Sequence, residues 1–185
     1  MTESGKLFAF GDNANGQLGN GSSESDVSGI QRVMTDSGKF GDDGMPKALK
    51  VASNDDDVLI LSTDGKLYGM GEKYAKKTAK AKEIKNIGNV IDMTGKYALT
   101  VTGKVYELHA NSLPTKITGY RDGNKGEIDI VKIAQGANHM LALDVRGRVW
   151  ALGANSYGQL GNGSWTASAR LWRSEERRVG KECRS

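Results

Sequence analysis

The chain has 185 residues with 25 glycines and only two prolines (Pro46, Pro114), a length that supports one domain and a composition that points to many tight turns. Its apolar runs are too short to span a bilayer and no charged-then-apolar leader opens it, so the expectation is a soluble intracellular protein, cytoplasmic or nuclear, without a membrane partner. The formal net charge of +4 is uneven: Glu72–Lys85 holds six lysines against two glutamates, residues 173–185 hold five Lys/Arg against three acids, and the remainder is slightly acidic. Cys183 is the only cysteine, which excludes a disulfide framework.

In chain order, the first recognisable block is Gly5-Lys6-Leu7-Phe8-Ala9-Phe10-Gly11, followed by the heptapeptide Gly-Gln-Leu-Gly-Asn-Gly-Ser at 16–22. The same block returns as Gly147-Arg148-Val149-Trp150-Ala151-Leu152-Gly153, followed by an identical heptapeptide at 158–164, and Asn13 matches Asn155. Partial copies open at Gly65 and Gly103, which gives an uneven internal repeat. Residues 50–71 align with 132–153 at one offset, and each reads as an apolar strand, a turn, a second strand, a reversal and a third strand. The reversal at Thr63-Asp64-Gly65-Lys66 has the Asp-Gly signature of a tight hairpin, and Asp144–Gly147 reads as a slightly longer turn. The Ala/Lys-rich stretch 75–85 has the chain's helix propensity. Four-stranded units at this spacing predict an all-β chain with the architecture of a β-propeller.

Glycines at positions one, four and six of the heptapeptide permit a compact loop, its leucine can plug the underside, and its amides can bond backbone groups left unpaired. The loop lacks the Lys-Ser/Thr ending of a nucleotide-binding loop, and its Asn20 and Asn162 sequons read as turn residues. Residues 173–185 break from the repeat and back-translate into a common sequencing-library adapter. The expectation is therefore a genuine body over 1–172 and an artefact over 173–185, with the body truncated near Trp172.

Residues 147–163 and the preceding Val131–Leu143 resemble the repeat of the regulator of chromosome condensation family. Pro114 and Ile117 fit its opening strand. The copy at 5–22 is also good, and the two central copies are degenerate, with Asp57 and Gly95 in the place of His139. The resemblance implies seven blades in the whole ring, of which this chain would supply an arc of about three four-stranded antiparallel blades. An open arc exposes sheet edges, so the isolated chain is expected to be poorly soluble or oligomeric.

No residue set predicts catalysis, a metal or a cofactor. His139 lacks a neighbouring nucleophile and reads as a side chain bonding the backbone of its own blade. His109 has no second ligand at metal spacing. Asn54-Asp55-Asp56-Asp57 and the Asp122–Glu127 stretch read as solvated turns rather than calcium sites. Lys73, Lys76, Lys77, Lys80, Lys82 and Lys85 replace the heptapeptide in the second copy and are the candidate partner-binding residues. The resemblance implies a non-enzymatic protein-interaction scaffold with a protein partner such as a small GTPase, and guanine-nucleotide exchange as the family's best-known activity. No small-molecule substrate is expected. The alternative is chromatin or nucleic-acid binding through Lys73–Lys85.

Overall fold

The repeats fold as strands because β-branched and aromatic residues are gathered between glycine-bearing turns. The computed structural model describes residues 1–25, 27–54, 57–75, 78–109, 112–118 and 128–174. The first sheet pairs β1 (Phe8–Ala9) with β2 (Gln31–Arg32). The second runs in chain order through β3 (Ala48–Asn54), β4 (Asp57–Ser62), β5 (Leu67–Gly71) and β6 (Lys82–Glu83). The third contains β7 (Val90–Met93), β8 (Tyr97–Thr100), β9 (Val105–Glu107) and β10 (Thr115–Lys116). The fourth contains β11 (Ile130–Gln135), β12 (His139–Asp144), β13 (Val149–Gly153) and β14 (Ser168–Arg173). All pairings are antiparallel, and the fold is the expected all-β, incomplete propeller.

The helix expected within 75–85 does not form there. A single turn, α1, covers Glu72–Ala75, and Lys82–Glu83 are drawn into β6 opposite Tyr68 and Gly69. Strand pairing overrides local propensity.

The hairpin turns also differ from expectation. Positive φ falls on Gly65 but not on Asp64; Gly65 N–H bonds Ser62 O at 3.0 Å, and Ser62 N–H bonds Lys66 O at 2.9 Å. This is a three-residue loop closed by a glycine bulge rather than a two-residue turn. The turn at Asp144–Gly147 is not longer, because it carries the same two bonds, as do Thr100–Gly103 and Thr2–Gly5. Each first strand also bulges at one corresponding place, after Ala48, Val90 and Ile130.

The chain divides into two compact units, Met1–Ile117 and Thr118–Ser185. In the first, Leu7, Val33 and Phe40 pack against Ile60, Tyr68 and Met70, with the Phe40 and Tyr68 rings edge-on at 5.2 Å. Leu59, Leu61 and Leu67 face the other way, onto Val90, Met93 and Ala98. Strand alternation thus sends neighbouring residues of β4 into two cores, and all of β4 and β5 except Val58 is buried. Each fully buried Leu or Ile here stabilises by about 1.5–3 kcal/mol. The main chain ties neighbouring sheets as well: Ala48 N–H bonds Gly5 O and Val90 N–H bonds Gly65 O, at 3.1 and 2.8 Å. Lys50 pairs with Asp92 across the second and third sheets.

In the second unit, Met140, Ala142 and Asp144 of β12 are buried, whereas His139, Leu141 and Leu143 are half-buried. Trp150 is fully buried, and its Nε1–H donates to Asp144 Oδ2 at 2.9 Å. Arg148 stacks on the indole and donates to the same oxygen at 2.7 Å. Burial alone would raise the Asp144 carboxyl. The Trp150 and Arg148 hydrogen bonds, with the Arg146 and Arg148 amides, hold it below the ordinary range instead.

The first sheet lacks a counterpart of β4 or β12 among the described residues. Gly11 and Gly153 share φ = 112°, yet a Cβ on Gly153 would lie 2.5 Å from Asn138 O, while one on Gly11 would meet nothing within 4 Å. The neighbouring Phe10 is 79% exposed.

Candidate functional site

The connection from third to fourth strand is where the copies diverge. In the two heptapeptide loops a buried asparagine three residues upstream organises the whole turn. Asn13 Nδ2 donates to Ser22 O (2.7 Å) and Glu24 O (3.3 Å), and its Oδ1 accepts from Leu18 N–H (3.0 Å). Asn155 repeats this with Ser164 O (2.7 Å), Thr166 O (3.2 Å) and Leu160 N–H (2.9 Å). Both asparagines are fully buried, and Leu18 and Leu160 form the expected plug. Gln17 and Gln159 each accept from the amide two residues back, at 2.9 Å. These loops are structural. The sequence signal for the asparagines was their fixed offset from the heptapeptide, which their match revealed without disclosing the role.

The lysine-rich connection after Gly71 is built differently. Ala75, Ala79 and Ala81 are buried, so the alanines, not the lysines, are its structural register. Tyr74 is also a core residue: it packs in both inter-sheet cores, and its ring lies where a Cβ on Gly69 would clash at 2.5 Å. Burial first, and Asp57 second, push the Tyr74 phenol up to about 12. The segment also docks on the first copy, with Gly21 N–H of the heptapeptide loop bonding Ala79 O at 2.7 Å and Ala81 N–H bonding Met34 O, beyond that loop, at 2.9 Å.

Of the four described candidate lysines, Lys73 and Lys80 face acidic side chains. Lys73 bonds Asp57 through both its amide and its ammonium, each at 2.8 Å, and Lys80 lies 3.9 Å from Asp36. Lys82 and Lys85 are exposed on and beside β6. Lys76 and Lys77 lie outside the described residues, as do Asp55, Asp56, residues 122–127 and residues 175–185. Arg173 ends β14, opposite Trp150.

Asp57 occupies the place of His139, since it pairs with Gly71 as His139 pairs with Gly153. His139 was expected to bond the backbone through its side chain. Its ring instead packs against Gly136, where an added Cβ would come within 2.2 Å, and it makes no side-chain hydrogen bond among the described residues. His109 lines a hollow of about 360 Å³ with Lys73, Ile84 and Pro114. Among the described residues, no three His, Cys, Asp or Glu side chains cluster to hold a metal, and no helix is long and apolar enough to cross a membrane.

Four-stranded antiparallel meanders repeated along the chain define a propeller-type repeat fold. Models described as the regulator of chromosome condensation (RCC1) repeat match residues 4–51 and 130–159. The Protein RCC2 homolog of Xenopus laevis and human Protein RCC2 are each 30% identical over 167 residues, covering 88% of this chain but 29% and 28% of their own lengths. Human WBSCR16 superposes with a TM-score of 0.71 at 24% identity, over 96% of this chain and 50% of that one. Prp20p of Saccharomyces cerevisiae superposes at 0.64 with 17% identity, over 94% and 47%. The chain is an RCC1-like repeat protein, and it spans less than a third of the length of its RCC2 relatives.

Proposed function

We propose that this chain is the partner-binding part of a non-enzymatic scaffold that regulates a small GTPase in the nucleus or cytoplasm. The observation that carries the reading is the alignment with RCC2 proteins across 88% of the chain. Prp20p, which shares the fold, has binding properties toward Gsp1p, a small GTPase, and toward histones, and yeast RCC1 has been solved bound to Kap60. Regulation by binding needs no nucleophile, metal or cofactor from this chain. Nucleic-acid binding through Lys73–Lys85 ranks second, because Lys73 and Lys80 already spend charge on Asp57 and Asp36.

The test mixes the full chain with a small GTPase carrying fluorescent GDP. Accelerated release supports exchange, and binding without acceleration supports a scaffold alone. The absence of both binding and release overturns the reading. A DNA titration at two salt concentrations checks the second reading, which requires affinity that falls steeply with salt.

A further inference from the structure

A groove of about 850 Å³ runs along the first unit between the turn at 35–37, the β4–β5 turn and β6. Its walls carry Lys47, Lys66, Lys82 and Lys85. Lys66 faces Asp64 at 3.8 Å, and the groove's Asp36 is taken by Lys80. Lys47, Lys82 and Lys85 have no ion-pair partner among the described residues, and Glu83 is the one groove carboxylate left without a lysine. Positive charge is therefore in excess where the groove is open.

Tyr68 supplies the second observation. It is only 5% exposed and lines this groove, and its ring is fixed edge-on against Phe40. Its hydroxyl has no hydrogen-bond partner among the described residues and is free to donate outward. The oxygen is not sealed in, since Arg32 Nε is the only fully enclosed side-chain polar atom among the described residues without a partner. Tyr68 is among the residues that line the groove. Burial first, then Asp64 and Glu83, push the phenol up to about 12, so it is a proton donor at neutral pH.

We propose that this groove docks an acidic segment of a partner protein, one carboxylate of which accepts a hydrogen bond from the Tyr68 hydroxyl while others pair with Lys47, Lys82 and Lys85. A peptide fits better than a nucleic acid. The lysines that line the groove are interrupted by Glu83 and Asp64, whereas a phosphate backbone calls for an uninterrupted positive track. The proposal rests on the scaffold reading and assigns that scaffold a contact surface.

The experiment measures binding of a fluorescein-labelled Asp/Glu-Gly-Ser peptide to the full chain by anisotropy, at low and physiological ionic strength, with an oligonucleotide of equal charge as competitor. The expected result is salt-sensitive peptide binding, weakened about tenfold by Lys82→Ala with Lys85→Ala and about three- to tenfold by Tyr68→Phe. Tyr68→Phe keeps the ring and its packing, so its effect reads the hydroxyl. Lys132→Ala, exposed on β11 in the other unit, should change nothing. Absent binding, equal loss with Lys132→Ala, unchanged affinity in Tyr68→Phe, or full displacement by the oligonucleotide each overturns the proposal. GTPase binding without peptide binding sinks the groove and leaves the scaffold reading. Peptide binding without GTPase binding does the reverse.

Discussion

The connection between third and fourth strands is solved in two ways in one chain. At 16–22 and 158–164 a buried amide, Asn13 or Asn155, satisfies the loop's backbone from inside. At 72–81 there is no such amide. A one-turn helix is held at its start by Asp57, and Ala75, Ala79 and Ala81 are the buried residues of the connection. The amide solution is exacting, because each atom of one side chain has an assigned partner. The alanine solution asks for small size at three positions and for one packed aromatic, Tyr74, which leaves other residues of the segment to be lysine. Variation at the surface thus follows from how the underside is filled.

The largest test of that contrast is Asn13→Ala and Asn155→Ala. Each should cost about 3 kcal/mol by urea denaturation, because the buried Leu18 or Leu160 amide loses its partner and two loop carbonyls lose theirs. A cost under about 1 kcal/mol at either site would mean the loops are not amide-locked.

Next comes a pair that separates the first sheet from the fourth. Gly153→Ala combines positive-φ strain with a clash on Asn138 O, whereas Gly11→Ala carries the strain alone. The former should exceed the latter by about 1–2 kcal/mol in the same assay. Equal costs would mean that a strand covers Gly11 after all.

Smaller still is Asp57→Ala, which should cost about 1–2 kcal/mol by removing the acceptor of the Lys73 amide and ammonium. An effect as large as that of the asparagines would erase the distinction between the two solutions.

The smallest effect is a pH slope. The folded Asp144 carboxyl titrates below its unfolded value, so its contribution is present above about pH 4 and lost as pH falls through the folded value. Asp144→Asn should flatten that acid limb, read as denaturation midpoints across the acid range. An unchanged slope would show that other carboxylates dominate.

Much of the fold was legible because apolar alternation and turn glycines recur at matching places, as in 50–71 and 132–153. The turn type was not, because Asp64-Gly65 is compatible with two geometries and only backbone pairing with Lys66 selects the bulged one. The helix was misplaced because propensity at 75–85 is local, while Lys82–Glu83 are claimed by Tyr68 and Gly69. For the candidate site, charge marked the right segment but the wrong emphasis. Lysines attract notice in a sequence, whereas three alanines and Tyr74, which fix where those lysines go, look unremarkable until the two cores are seen. Tyr68 was invisible as a groove residue because its position in the repeat is an ordinary packing aromatic.

The backbone bonds from Gly5 and Gly65 to the first strand of the following sheet carry an evolutionary consequence. A joint made of amide and carbonyl does not register which side chains surround it; it demands a residue tolerant of positive φ at one point in each copy, and at Gly5 one without a Cβ, which would lie 2.6 Å from Lys47 Cβ. Gly5, Gly65, Gly103 and Gly147 meet that demand in all four copies, including the two that have lost the heptapeptide. Such joints let a repeat drift far in composition while its neighbour still recognises where to attach.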